Sequence, residues 1–330
     1  MKDNCFNEVR LVLASMVMVS HAQILSGKSF LGNFSLLIDP NFAVKGFFVI
    51  SGYLVTKSYF SSFSIAHYIE KRARRVLPGY FTVIMFCLIL GGATSNLNTT
   101  EFVSSPESIK YIFVNFLFLN FLQPTLPGVF STNPEQAMNG SLWTIKIEIA
   151  LYMCLPFIVF FFKKFGETFG FFIIFLCGVL WFTYFTFVFD SDLGPKLGRQ
   201  FPGQLPFFIT GCLLAQKSIS QTKLFILFLP CALCLLMDFP EKWEYYVNML
   251  IYPIIVIFIC KLPNFKLNFT KKVDLSYGIY LFHYPVVQLI VYLQLYEKNV
   301  WVGFFMSIII TILLASLSWT WIEKRFLIRN

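Results

Sequence analysis

The sequence predicts an all-α integral membrane protein, a polytopic bundle of transmembrane helices. Of its 330 residues, 57% are hydrophobic and only 13% are charged, whereas in a soluble domain about a quarter are charged and under half are apolar. The apolar residues gather in repeated runs of about 17–25 residues, the length that a helix needs to cross a bilayer. Alternating segments of about ten residues, typical of a transmembrane β-barrel, do not occur. We therefore expect one membrane domain over residues 1–330 and no soluble domain.

Eleven apolar segments follow one another along the chain, and ten of them are predicted to span the membrane. They fall at residues 8–26, 42–60, 79–95, 111–122, 142–162, 168–189, 204–217, 222–237, 245–260, 274–295 and 300–322. The exception is 111–122, which is too short to span and contains Asn115 and Asn120. Because irregular backbone at membrane depth is tolerated where it is buried or lines a cavity, this segment is predicted to be a re-entrant or interfacial helix.

The distribution of basic residues predicts the topology. With ten crossings and a cytoplasmic N-terminus, sixteen of the 26 Lys and Arg residues fall in inner segments, six in outer loops and four within spans. If 111–122 crossed, the base-free stretch QPTLPGVFSTNPEQAMNG would lie inside and every later loop would be inverted. Because Lys and Arg tend to remain cytoplasmic, we expect both termini to be cytoplasmic. The net charge of +9 then reflects this bias, and nucleic acid is not an expected partner.

Two ionisable residues, Arg10 and His21, lie within the first span, which reads EVRLVLASMVMVSH. In a helix this spacing places them within about 20° of each other around the axis and about 16 Å apart along it. Arg10 is near the cytoplasmic end and His21 is deeper. Ionisable groups inside a span are costly and are candidates for function. The alternatives are a snorkelling anchor for Arg10 and a hydrogen-bonded packing residue for His21.

The sequence KRARR at 71–75 follows the second span. It is either the basic flank of a span or an anion site, since Arg72 and Arg75 share one face of a helix and guanidinium groups suit phosphate. The LPGY that follows predicts that the next helix begins at a proline turn.

The segment SLWTIKIEIALYMCLP at 141–156 places Lys146 and Glu148 inside an apolar helix, with Glu148, Tyr152 and Pro156 on one face. A buried carboxylate needs a partner. Glu148 is therefore predicted to orient a histidine or to act as an acid or base, and the alternative is a structural ion pair with Lys or Arg.

The other polar residues in apolar segments are weaker candidates. Ser51 lies mid-span in GFFVISGYLV but lacks the GxSxG turn of a hydrolase nucleophile, and Gly52 beside it allows close helix approach. His283 lies in SYGIYLFHYPVV, where Pro285 loosens the backbone pairing. The cysteines lie mostly in apolar segments, where cysteine packs as a small hydrophobe, and no metal site is expected.

Six motifs in this order resemble the acyltransferase-3 family of integral membrane enzymes, which includes bacterial O-acetyltransferases of O-antigen and other surface glycans. They are Arg10 and His21, GFFVISGYLV, Arg72 to Arg75 followed by VLPGY, SLWTIKIEIALYMCLP, SYGIYLFHYPVV and the closing WIEKRF, and they cover nearly the whole chain. The resemblance implies transfer of an acyl group, usually acetyl, from cytoplasmic acyl-CoA to a sugar hydroxyl at the bacterial inner membrane. Some relatives add a hydrolase-like SGNH domain, and we expect this chain to be a stand-alone member.

The resemblance makes acetyl-CoA, or another acyl-CoA, the expected donor substrate, with no permanently bound cofactor. Arg10, Arg72 and Arg75 are expected to hold its phosphates or pantetheine. His21 is expected to remove the proton of the sugar hydroxyl as it attacks the thioester, although an acyl-histidine intermediate is also compatible. Glu148 would fix the tautomer of His21 or stabilise its imidazolium. The residues kept for an acceptor site or a structural role are Ser51, Tyr152 and His283.

The expected acceptor is a glycan or lipid-linked glycan, with lipopolysaccharide O-antigen favoured over capsule or another exopolysaccharide. Two other classes of membrane protein remain alternatives. A transporter or flippase for a lipid-linked glycan or acyl donor would also carry charges within spans, but no inverted repeat is visible. A glycosyltransferase that uses a polyprenyl-phosphate sugar would carry more acidic residues in its first outer loop, where Asp39 is the only one.

Overall fold

The computed structural model describes residues 4–217, 219–237, 239–262 and 273–327, and within these residues the regular structure is helical, with no strand. The helices are α1 (Phe6–Ser26), α2 (Pro40–Phe60), α3 (Ile65–Thr94), α4 (Thr99–Ser104), α5 (Pro106–Phe116), α6 (Trp143–Phe165), α7 (Glu167–Thr183), α8 (Gly194–Gly198), α9 (Phe201–Gln216), α10 (Gln221–Cys234), α11 (Glu241–Cys260), α12 (Ser276–Tyr292), α13 (Leu295–Lys298), α14 (Val300–Ser318) and α15 (Lys324–Phe326). Short 3₁₀ turns occur at Gly32–Leu37, Asn120–Leu122 and Gly140–Leu142, and π-helical turns at Tyr184–Val188 and Trp319–Glu323. The all-α class is confirmed.

Seven helical stretches in the described residues are long and apolar enough to cross a membrane. They are Phe6–Ser26, Gly32–Phe60, Ile65–Thr94, Gly140–Phe165, Glu167–Val188, Lys242–Cys260 and Val300–Phe326. The other three predicted crossings correspond to the shorter helices α9, α10 and α12, which have 16, 14 and 17 residues. At 1.5 Å per residue, α12 is about 26 Å long, close to the ~30 Å hydrocarbon core of a bilayer. The chain is therefore a multi-pass membrane protein.

The segment at 111–122 is not one continuous helix. Helix α5 has 11 residues and ends at Phe116, Phe118 has a φ of 61°, and a 3₁₀ turn follows at Asn120–Leu122. The buried Asn115 donates its amide to the carbonyl of Tyr111 at 2.8 Å. An 11-residue helix is only about 16 Å long, so α5 cannot span a bilayer, which agrees with the exclusion of 111–122 from the predicted crossings.

The start of the third span differs from the prediction. We expected a new helix to begin at the proline turn after KRARR, but α3 begins at Ile65 and continues through Pro78 to Thr94. Proline removes one helical N–H and normally disfavours a helix interior. In membrane helices such prolines are tolerated because neighbouring groups satisfy the carbonyls they leave. Arg72 and Arg75 therefore lie within α3, one turn apart on the same face.

The described residues fall into two compact units. Unit 1 contains residues 4–10, 41–70 and the described part of 147–262, and unit 2 contains residues 11–40, 71–146 and 273–327. The basic residues Lys2, Lys266, Lys271, Lys272 and Arg329, which the sequence predicts to be cytoplasmic, lie outside the described residues.

In unit 1, α2 and α9 approach each other closely through two glycines. A Cβ atom at Gly52 would collide with the carbonyl oxygen of Phe208, and one at Gly211 would collide with the carbonyl oxygen of Val49. Small residues allow this close approach of membrane helices. The role that the sequence predicts for Gly52 is confirmed, and Gly211 provides the same space from the other helix.

In unit 2, α12 is the most thoroughly buried long helix. Fourteen of its 17 residues are buried, and it packs against α14 where a Cβ at Gly278 would lie 2.9 Å from the Cα of Ala315. Three of its buried side chains are Ser276, His283 and Gln288. Because buried polar groups need hydrogen-bond partners, the residues around α12 must supply them, and the candidate site lies among these partners.

Candidate active site

Two histidines meet inside unit 2. The Nδ1 atom of His21, on α1, lies 2.7 Å from the Nε2 atom of His283, on α12. Their rings are nearly parallel, with an angle of 11° and a centroid distance of 5.0 Å. His283 is fully buried, whereas His21 is only partly buried. His21 is therefore the member of the pair that a substrate can reach.

The second nitrogen of His283 is also engaged. Its Nδ1 lies 3.0 Å from the carbonyl oxygen of Ile279, one turn earlier in α12. The ring of Tyr284 stands against His21 in an edge-on geometry, with centroids 5.1 Å apart and an angle of 75°. The histidine pair is thus held on one side by the α12 backbone and on another by an aromatic ring.

The chain just before α6 completes the hydrogen bonding of α12 near the histidine pair. Pro285 has no N–H, so the carbonyl of Leu281 lacks its usual partner four residues on. The side-chain amide of Asn139 donates to that carbonyl at 2.9 Å. In the first turn of α6, Thr144 Oγ1 lies 2.6 Å from the hydroxyl of Tyr280. These contacts hold α12 at two positions just before His283 in sequence, through the backbone of Leu281 and the side chain of Tyr280.

The loop that precedes Asn139 is anchored to α12 by the fully buried Gln288. Its amide nitrogen donates to the carbonyls of Glu135 and Ala137, each at 2.8 Å. Asn133 in turn donates to the backbone and side-chain oxygens of Gln288 at 2.9 and 2.8 Å. The base-free stretch 123–140 is therefore a fixed structural element beside α12.

A second polar cluster lies in unit 1. Glu148, on α6, accepts hydrogen bonds from the hydroxyl of Ser51, at 3.1 Å, and from the hydroxyl of Tyr152. Ser51 and Tyr152 are themselves 3.4 Å apart, and Tyr68 donates to the backbone carbonyl of Tyr152 at 2.8 Å. The partner that the sequence requires for the Glu148 carboxylate is thus a pair of hydroxyl groups, and the i, i+4 spacing of Glu148 and Tyr152 correctly placed them together.

The arginines differ in their surroundings. Arg75 forms an ion pair with Asp274, with Nη2 and Oδ2 2.5 Å apart and both side chains mostly buried. Asp274 also accepts hydrogen bonds from the N–H and hydroxyl of Ser276 at the start of α12. Arg72 lies on the same face of α3, and Arg10 is partly buried in the second turn of α1. The ion pair links the KRARR sequence to the helix that carries His283.

Sequence reasoning missed three of these contacts. It did not pair His21 with His283, because 262 residues separate them and only the fold brings them together. It also missed Asp274 and Asn139. Asp274 lies two residues before α12 and accepts the N–H of its first residue, Ser276, so the DLS sequence was an available signal. The proline at 285 required a donor for the carbonyl of Leu281, but no local pattern indicated which residue would donate.

The fold and the motifs define the class as an integral-membrane acyltransferase. A family model described as an acyltransferase domain matches residues 3–320, and the chain belongs to that family. The resemblance stated from the six motifs is confirmed.

Two relatives are similar over nearly their full length. An O-acetyl transferase of Shigella phage Sf6 is 29% identical, and the match covers all of this chain and 97% of the relative. Nodulation protein 10 of Rhizobium leguminosarum bv. viciae is 26% identical, with 97% of this chain and 92% of the relative covered. An uncharacterised protein of Haemophilus influenzae matches 42% of this chain at 25% identity, over 54% of its own length. No solved structure matches the chain significantly.

Proposed function

We propose that this chain is an O-acetyltransferase that moves an acetyl group from cytoplasmic acetyl-CoA to a hydroxyl group of a surface glycan, with lipopolysaccharide O-antigen as the first acceptor to test. The observation that carries the proposal is the environment of His21. This partly buried histidine lies within a membrane helix, and its ring is hydrogen-bonded to a second imidazole, that of His283. The acyltransferase family supports the reaction class, and the name of the phage relative supports acetyl as the group and oxygen as the acceptor atom.

His21 acts as the general base in this proposal. It takes the proton of the sugar hydroxyl while the hydroxyl oxygen attacks the thioester carbonyl. The new C–O bond forms, the C–S bond breaks, and the thiolate of CoA leaves and receives the proton from His21. A positioned base of this kind contributes about 10²–10⁴-fold to a rate. No cofactor or metal is needed for the balance of the reaction.

The donor is held by arginines at the cytoplasmic side in this proposal. Arg72 and Arg75 share one face of α3, and Arg10 lies toward the N-terminal end of α1. A guanidinium carries five N–H donors, so Arg75 can bond both to Asp274 and to a phosphate of CoA. The ~16 Å along α1 between Arg10 and His21 suits an extended pantetheine arm that carries the thioester from the phosphates to the base.

Glu148 is proposed as the second catalytic group, with Ser51 and Tyr152 around it. Within the described residues, its carboxylate accepts hydrogen bonds from two hydroxyl groups. Such a cluster of hydroxyls and a carboxylate matches the hydrogen-bonding pattern of a sugar, since both donors and acceptors are present. We therefore propose that Ser51 and Tyr152 contribute to acceptor binding.

The proposed location is the bacterial inner membrane, with both termini in the cytoplasm. The distribution of Lys and Arg supports this orientation. In this orientation the arginines would lie on the side of the membrane where CoA is found. The glycan acceptor, free or lipid-linked, would reach His21 from within the membrane or from the outer face.

The central test compares two histidine substitutions in protein purified in lipid nanodiscs with labelled acetyl-CoA and a glycan acceptor. His21→Ala is expected to lower acetyl transfer by about 10²-fold or more, because the base is lost. His67→Ala is the matched control: His67 stacks on Phe63 at the start of α3 and takes no part in the proposed chemistry, so its rate should equal that of the wild type.

The same assay separates the rival functions. Retention of the full transfer rate by His21→Ala would refute the assignment of His21. Movement of a lipid-linked glycan across the membrane without release of CoA would instead indicate a flippase. Transfer to capsule or another exopolysaccharide, with none to O-antigen, would change the acceptor and leave the reaction class intact.

A further inference from the structure

The hydrogen bonds of the histidine pair determine where the protons lie. The carbonyl oxygen of Ile279 can only accept a hydrogen bond, so the Nδ1 of His283, 3.0 Å away, must carry a proton. A neutral imidazole has one N–H and one lone pair. His283 therefore presents the lone pair of its Nε2 toward His21.

The neutral form of His283 follows from its surroundings. Its side chain has no exposed surface, and its Nε2 faces another imidazole at 2.7 Å. The rings of Tyr280 and Tyr284 lie around it with centroids 5.8 and 6.4 Å away. Placing a charge in such a site without an ionised partner is costly, so the resting pair is two neutral rings.

We infer that His283 is a positioning residue that fixes the tautomer of His21. Because the Nε2 of His283 accepts, the Nδ1 of His21 must donate, and the lone pair of His21 is then on its Nε2. This inference rests on the proposed role of His21 as the base. It assigns the proton-accepting atom to Nε2, the nitrogen on the side of the ring away from His283.

The hydrogen bond between His21 and His283 also stabilises the protonated form of His21. When the Nε2 of His21 takes the hydroxyl proton, its ring becomes an imidazolium whose Nδ1–H still donates to His283. That hydrogen bond becomes charge-assisted and stronger. His283 polarises toward the Ile279 carbonyl in turn, so the relay stabilises the positive charge without any proton leaving His283. In many enzymes a carboxylate orients the catalytic histidine, whereas here a neutral imidazole takes that place.

The first test reads the tautomers directly by ¹⁵N NMR of histidine-labelled protein. The chain has three histidines, so His67→Gln leaves only the pair. Both rings are expected to be neutral and protonated at Nδ1. A His21 signal that shows protonation at Nε2 in this folded, otherwise native protein would overturn the inference.

The second test changes His283 and measures the same signal. In His67→Gln/His283→Gln protein, the Gln side-chain oxygen can accept from His21, so the Nδ1–H tautomer should persist. In His67→Gln/His283→Leu protein no acceptor remains, and the population should move toward the Nε2–H form. Identical His21 spectra in the two proteins would contradict the positioning role.

Kinetics provide the third test, with His67 intact. His283→Leu is expected to lower kcat by about tenfold or more, a part of what a positioned base supplies, with little change in the KM for acetyl-CoA. His283→Gln should restore kcat to within a few-fold of the wild type. Equal loss in both variants, or a loss confined to KM, would make His283 a packing or binding residue.

The two hypotheses fail differently. If His21→Ala is inactive and His283→Leu is fully active, the base assignment stands and the positioning role falls. If His21→Ala is active, the proposed function of His21 falls, while the tautomer measured by NMR still reports whether His283 orients the ring.

Discussion

At the scale of single residues, two ion pairs within the described residues differ strongly in their exposure. Arg75 and Asp274 have side chains only 17% and 13% exposed, whereas Lys217 and Glu167, whose charged atoms lie 2.6 Å apart, are 52% and 43% exposed. Exposed pairs contribute little because water screens them and side-chain entropy opposes them. Removing one partner of a buried pair leaves an uncompensated charge, which is strongly destabilising.

These two pairs give a matched prediction for stability. Asp274→Asn keeps a side-chain oxygen that can accept from the N–H of Ser276 but removes the negative charge from the buried pair with Arg75, so we expect a loss of about 1–3 kcal/mol. Glu167→Gln should cost at most about 1 kcal/mol. The measurement is the thermal unfolding midpoint of each purified variant in the same detergent. Equal midpoints for the two variants would mean that the Arg75–Asp274 pair does not stabilise the fold.

At the scale of elements, helix packing in unit 1 depends on the absence of two side chains. Gly52 and Gly211 each face the backbone of the opposing helix, and the atoms they would strike are carbonyl oxygens that cannot rotate away. In a membrane, such close packing is a main source of helix association because lipid is as apolar as the side chains. The α2–α9 contact is therefore sensitive to a single added methyl group.

Gly211→Ala should separate α2 from α9 and lower the yield of folded, monodisperse protein. Gly92→Ala is the control, because a Cβ there meets only the Phe102 ring at an ordinary 3.4 Å. Size-exclusion chromatography of the two variants after identical extraction is the measurement. A Gly211→Ala protein that elutes and melts like wild type would show that the helices can move apart without loss.

The sequence predicted those features that are set by hydropathy and local spacing. The membrane helices follow from apolar runs, and the Glu148–Tyr152 contact follows from the i, i+4 geometry of a helix. The continuity of α3 through Pro78 was missed because proline is a weaker breaker in a membrane helix than in water. The His21–His283 contact was missed because it depends on which faces of two distant helices meet, and no local pattern encodes that.

At the scale of the whole molecule, one short segment decides the orientation of everything after it. Helix α5 and the irregular backbone at Phe118 break the segment 111–122, so residues 123–140 and residues 71–75 belong on opposite faces of the membrane if α3 crosses once. The anchoring of 123–140 to α12 by Gln288 then lies at the membrane face opposite to residues 71–75.

Reporter fusions test this topology. Alkaline phosphatase joined after Ser131, which is exposed in the loop, is expected to be active, because that enzyme needs the periplasm. The same reporter joined after Lys164, at the end of α6, should be inactive, and a cytoplasmic reporter there should be active. The reverse pattern would mean that 111–122 crosses the membrane and that every later loop is inverted.

The hydrogen bond between Asn139 and Leu281 has an evolutionary consequence. Asn139 is useful because Pro285 leaves a carbonyl unpaired, and Pro285 is tolerable because Asn139 supplies the donor. Without the proline, the amide of Asn139 would no longer be needed. If Asn139 were lost first, the buried carbonyl of Leu281 would have no donor, and this loss would be selected against. Asn139 and Pro285, on separate stretches of the chain, are therefore expected to occur together among relatives. Where both are replaced, the proline should have been substituted before the asparagine.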